Sequence, residues 1–243
     1  YDFQPITKNS PKNIVEKCGK LLTYSQLLYL CSVFGMKNAD TKNEQNHSLM
    51  PNLYIISGCN GAGKTTASLT VLPETLECKE FVNCDEIAKG LSPLNPDGAK
   101  VAAGRLMLSR IKKLIADKAD FAIETTLAAK SYHALIKKAR EEGYKASLIY
   151  FWLQSPDLAI KRVAERVKHG GHHVDDSIIR RRYKAGIKNL FNLYCPVVDY
   201  FLFIDNSIMP SEVIAEGNIK SIKFYNEEKF KKIRQYDNSN SEC

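Results

Sequence analysis

The residues Gly58-Cys59-Asn60-Gly61-Ala62-Gly63-Lys64-Thr65 carry the spacing Gly-x4-Gly-Lys-[Ser/Thr] of a phosphate-binding loop. Before them stands an apolar, strand-forming run, Asn52 to Ser57, and after them a helix-compatible run to Leu72 that Pro73 should stop. An ordinary glycine turn with a surface lysine would not need that context. Amides along Gly58, Asn60, Gly61, Ala62, Gly63, Lys64, Thr65 and Thr66 are the expected contacts for the phosphates of ATP. Lys64 should reach the outer phosphates, and the Thr65 hydroxyl is the expected Mg²⁺ ligand.

Asp85 and Glu124 each follow an apolar strand-like run. In an open parallel sheet such positions lie beside the phosphate loop. Asp85 suits the carboxylate that orients, or deprotonates, an acceptor hydroxyl. Its other reading is a Mg²⁺-coordinating or helix-capping Asp. Glu124, with Thr125 and Thr126 behind it, suits substrate hydroxyls or a metal-bound water. Asp205 with Asn206 and Ser207 reads as turn chemistry or as a nucleotide contact.

Arg162 and Arg166 are four apart and share a helical face. Gly170 and Gly171 offer a hinge before His172, His173 and Arg180, Arg181, Arg182. Such a basic segment can close over a triphosphate and neutralise the transferring group. Consecutive arginines fan about 100° apart, so one or two of the three, Arg181 among them, should face inward.

The chain of 243 residues carries a formal charge of +8, which suits anionic ligands without choosing among them. No run of apolar residues is long enough to span a membrane. The first residues do not read as a signal peptide, and seven cysteines without metal-ligand spacing fit reduced thiols in a cytoplasmic protein.

The elements that must position these groups alternate. Strands are expected at 80–85, 120–124, 145–153 and 200–205, with helices at 97–119, 131–142, 156–168 and 175–194. That pattern predicts an α/β, P-loop NTPase-type fold with a doubly wound, mainly parallel sheet of about five strands. Residues 1–48 read as a helical appendage and linker, with Val15, Cys18, Leu22, Leu27, Leu28, Leu30 and Cys31 as its apolar positions. The appendage is either a cover for the core or a regulatory, partner-binding element. Residues 49–215 read as the kinase core, with a lid over 156–194. Residues 216–243 read as a helical extension and tail.

From Met50 to Ser207 the chain resembles the zeta-toxin-like kinases, in particular their short free-standing bacterial members. The resemblance rests on Gly58–Thr66, Asn83-Cys84-Asp85-Glu86-Ile87-Ala88, Glu124-Thr125-Thr126-Leu127, Arg162–Arg182 with its Gly-Gly-His, and Asp205-Asn206-Ser207. It implies an ATP- and Mg²⁺-dependent kinase that phosphorylates a hydroxyl of a small acceptor, such as UDP-N-acetylglucosamine. It further implies Asp85 as base, Glu124 as a sugar contact, and Arg162 and Arg166 or one of Arg180, Arg181 and Arg182 on phosphate. Ala88 and Lys89 stand where the family's toxins carry an arginine after the catalytic Asp. An inhibitory protein partner is implied too, or N-terminal helices acting in cis. A nucleotide-regulated switch would keep the loop without needing Asp85. A polynucleotide kinase would suit the charge but lacks a recognisable aromatic stacking module, so nucleic acid is not the expected partner.

Overall fold

The structure, a computed structural model, describes residues 50–238. The expected N-terminal appendage and the last five residues lie outside the described residues. Strand β1 (Asn52–Gly58) is buried from Leu53 onward and lies at the middle of the five parallel strands. It pairs in parallel with β3 (Phe121–Thr125) on one side and β4 (Lys145–Trp152) on the other. Strand β2 (Glu80–Val82) flanks β3, and β5 (Tyr200–Asp205) flanks β4, both parallel. The side chains of β4 are buried from Ala146 to Trp152, which requires cover on both faces and suits its near-continuous apolar sequence. This is the doubly wound α/β architecture that the alternation of elements implies.

Among the described residues the sheet has seven strands, not about five. Two antiparallel strands, β6 (Glu212–Asn218) and β7 (Ser221–Phe224), extend it beyond β5. The region after 215 is therefore not purely helical: it finishes β6, forms β7, and only then becomes helix α7 (Glu227–Asn238). These strands are hard to read because only Ile214, Ala215 and Glu216 of β6 are buried, and β7 is largely exposed. Helix α7 closes an aromatic cluster in which Phe230 meets Phe203 at 5.7 Å and Phe191 at 5.8 Å between ring centroids.

The connecting helices are α1 (Lys64–Thr75), α2 (Cys84–Leu91), α3 (Pro96–Ala116), α4 (Ser131–Glu141), α5 (Pro156–Lys168) and α6 (Asp176–Asn189). Their starts follow local rules. Ser155 accepts from the Leu158 amide at 3.1 Å, and Pro156 occupies the first turn of α5, where its missing donor costs nothing. Helix α1 does not stop at Pro73 as expected but continues to Thr75. So close to the helix end, the proline removes a single intrahelical donor and is tolerated. Helix α6 ends earlier than expected. Residues Leu190–Tyr194 form a wider π-helical turn, followed by a 3-10 turn at Cys195–Val197 that contains Pro196.

Candidate active site

The crevice sits where the chain reverses direction in the sheet, beyond the carboxyl end of β1, as the α/β rule requires. The phosphate loop leaves β1 through Gly58 at φ 142°, where an added Cβ would stand 2.3 Å from the Phe151 carbonyl oxygen. Only glycine fits there. Lys64, at 7% exposure, donates to the Cys59 carbonyl at 2.9 Å and lies 3.8 Å from Glu124. The Thr65 hydroxyl bonds both Glu124 oxygens, at 2.9 and 3.1 Å.

Asn83 joins the carboxylates. Its Oδ1 accepts from the amides of Asp85 (2.9 Å) and Glu86 (3.4 Å), capping α2, while its Nδ2 donates to Glu124 Oε2 at 2.9 Å. One side chain thus sets the start of the helix bearing Asp85 and the orientation of Glu124. Burial pushes the Glu124 carboxyl above its usual range, and Lys64 and Thr65 oppose that shift. Burial also lifts the Cys59 thiol to about 11, so it stays protonated at neutral pH despite nearby Lys64.

The loop after β3 is held from below. Thr125 Oγ1 accepts from the Leu127 amide at 3.0 Å, fixing Leu127 at φ 59°, an uncommon conformation for a non-glycine residue. Asn189 of α6 donates to the carbonyls of Leu127 (2.8 Å) and Ala128 (3.2 Å), and the Tyr194 hydroxyl donates to that of Ala129. Helix α6 approaches so closely that a Cβ on Gly186 would lie 2.5 Å from the Thr126 carbonyl oxygen.

The basic segment contributes Arg162, Arg166, Arg181 and Arg182 to the cavity wall. Arg162 donates to the Ser207 carbonyl at 3.2 Å, and Arg166 folds the chain after α5 back by donating to the His172 carbonyl at 2.6 Å. Arg182 reaches Asn60 Oδ1 at 3.4 Å. Arg180 turns outward to Asp157 at 2.6 Å, as the helical fan requires.

A single cavity of about 850 Å³ unites these groups. Of the residues singled out from the sequence, Asn60, Gly61, Gly63, Lys64, Thr65, Thr66, Asp85, Glu124, Thr125, Thr126, Arg162, Arg166 and Arg181 all line it. Gly58 and Ala62 do not; they lie beneath the loop and shape it. Arg182, one of the three consecutive arginines of which one or two were expected to face inward, lines it as well, and so do Asn83, Tyr132, Lys89 and Lys100, to which the sequence assigned no role. The helix-capping position of Asn83, ahead of two acidic residues, was the one usable signal.

Comparison with known proteins gives the family and the fold. The family model described as zeta toxin matches residues 37–194. The chain belongs to the zeta toxin family. A Haemophilus influenzae relative known only as an uncharacterized protein is 30% identical over 126 residues, covering 52% of this chain and 88% of that protein. Among solved structures, the AvrRxo1-ORF1:AvrRxo1-ORF2 complex with sulphate ions superposes with a TM-score of 0.63 at 15% identity, covering 92% of this chain and 71% of that one. The same pair solved with ATP gives 0.62 at 16% identity, covering 92% and 70%. A structure from the PezAT toxin-antitoxin system of Streptococcus pneumoniae gives 0.52 at 14% identity, covering 90% and 98%. At these identities the superpositions speak for a shared fold.

Proposed function

We propose that this zeta toxin family member is an ATP-dependent kinase that transfers the γ-phosphate to a hydroxyl of a small acceptor. The observation that carries the reading is one cavity lined by Lys64, Thr65 and Glu124 together with Asp85 and with Arg162, Arg166, Arg181 and Arg182. Phosphoryl transfer needs positioning and charge neutralisation, and these groups supply both. The solved neighbour with ATP supports the choice of nucleotide.

In this reading the loop amides and Lys64 hold the β- and γ-phosphates. The Thr65 hydroxyl and the Glu124 carboxylate are hard oxygen donors side by side, and they fit Mg²⁺, which takes few protein ligands. A Mg²⁺ held there would supply positive charge against the phosphates. Of the two duties open to Glu124, its contact with Thr65 favours the metal-facing one. Asp85 orients the acceptor hydroxyl and takes its proton. The four arginines offset charge on the transferring group and narrow the access of water.

A sugar nucleotide such as UDP-N-acetylglucosamine is the first acceptor to test. An inhibitory protein partner is the second element of the proposal, supported by the toxin-antitoxin setting of one solved neighbour and the two-protein complex of another. The deciding experiment measures phosphate transfer from Mg·ATP to sugar nucleotides and to a metabolite extract, for wild type and Asp85→Asn. The variant should fold and bind ATP normally, with turnover lower by about 10²-fold, the scale of lost acid–base assistance. Full transfer by Asp85→Asn would remove Asp85 from the chemistry, and no transfer by wild type to any acceptor would end the kinase reading.

A further inference from the structure

The turn after β5 is bound to three parts of the site at once. Asn206 donates through its side chain to the Ala62 carbonyl of the phosphate loop at 2.8 Å, and through its amide to Trp152 at the end of β4 at 2.9 Å. Ser207 accepts from the Gln154 amide at 2.8 Å on its hydroxyl, and from Arg162 at 3.2 Å on its carbonyl. The turn owes its shape to Asp205, whose Oδ1 accepts from the Ser207 amide at 2.8 Å.

Asp205 is a carboxylate at 2% exposure. Its other oxygen, Oδ2, lies 2.7 Å from the ammonium of Lys229, on α7. Lys229 is itself held: its ammonium meets Glu212 at 2.6 Å, and Asn226 caps its amide at 3.1 Å while donating to Glu212 at 2.9 Å. Burial pulls the Lys229 pKa down, but the bonds from Asp205 and Glu212 outweigh it and the net shift is upward, so the charge persists. A buried carboxylate stripped of its partner either takes up a proton or moves toward water. Either change alters the turn that grips Ala62 and Arg162.

We propose that Lys229 is a positioning residue for the nucleotide site, acting through Asp205 to hold the phosphate loop at Ala62 and the lid arginine Arg162. The C-terminal helix, which contributes no residue to the cavity wall, thereby sets the site's geometry. The proposal rests on the reading of the cavity as a nucleotide site.

The test uses the full chain and two readouts: Mg·ATP affinity by titration calorimetry, and amide hydrogen exchange across 58–66 and 159–167 without nucleotide. Lys229→Met should weaken Mg·ATP binding about tenfold, the scale of coupling within one hydrogen-bond network, and raise exchange in both segments. Lys229→Arg should restore most of both. Lys231→Met, on the same helix in an exposed pair with Glu227 at 2.9 Å, should change neither. Arg162→Ala should cost less affinity in the Lys229→Met background than in wild type. If Lys229→Met fails to fold, Asp205→Asn, which keeps an acceptor for the Ser207 amide, takes its place with the same expectations. Wild-type affinity and exchange in Lys229→Met overturn the proposal. So do losses that merely track a lower unfolding midpoint and that Lys229→Arg does not restore. Should wild type bind no Mg·ATP while Lys229→Met still loosens 58–66, the brace stands and the nucleotide reading falls.

Discussion

At the scale of single residues, the site is a set of charges made tolerable by their neighbours. Lys64 and Glu124 are both nearly enclosed, and each limits the desolvation cost of the other. Asn83 completes the set by donating to Glu124 while capping the helix of Asp85. The raised pKa of Glu124 has a stability consequence with a definite sign. The folded chain keeps a proton at a pH where the unfolded chain, near 4.5, has released it. The stability owed to this group therefore falls as pH rises from 4.5 toward the raised value. We expect Glu124→Gln to flatten that part of the curve for the ligand-free protein. Urea unfolding at a series of pH values across the carboxylate range checks it, and an unchanged slope would assign the proton to another group.

At the scale of elements, α5 and α6 do different work. Helix α6 is a fixed support: Gly186, Asn189 and the turn at Tyr194 press on the loop from Thr126 to Ala129. The end of α5 is held by backbone bonds of His169, Gly170 and Gly171 to its last turn, by Arg166 on the His172 carbonyl and by His172 lying 3.4 Å from exposed Asp97. Exposed pairs of this kind contribute little to stability. We expect Arg166→Ala to lower turnover strongly while shifting stability by no more than about 0.5 kcal/mol. Hydrogen exchange should show new protection within 159–182 when a non-hydrolysable ATP analogue is added. Unchanged exchange there would argue that this segment is a fixed wall and not a lid.

At the scale of the whole molecule, the additions beyond β5 are part of the fold. Phe230 and Ile233 of α7 are buried, and Phe230 seals the cluster of Phe191 and Phe203. A chain ended after Tyr225 would leave that cluster open to water. Two lost large apolar side chains correspond to roughly 3–6 kcal/mol, a large share of a domain's stability. We expect the shortened chain to show a strongly lowered denaturation midpoint or to be insoluble, and a midpoint equal to the full chain's would refute this. The phosphate loop and the five parallel strands were legible in the sequence because each is local: a glycine spacing or an apolar run. The full extent of the strand expected over 80–85 was not: β2 stops at Val82, Asn83 caps a helix, and Asp85 stands in the first turn of α2, while Glu124 lies within β3. No helix among the described residues is long and apolar enough to cross a membrane, in keeping with the absence of a long apolar run in the sequence. Chain packing alone sets Glu124 against Thr65, brings Arg182 to Asn60 and Arg180 to Asp157, and lets Asn83 reach Glu124. Those contacts bridge residues far apart in the chain, and no local pattern encodes them. Strands β6 and β7 stayed hidden for a related reason. Their weak apolar signal becomes strand through long-range pairing, β6 with β5 and β7 with β6, which no local pattern announces.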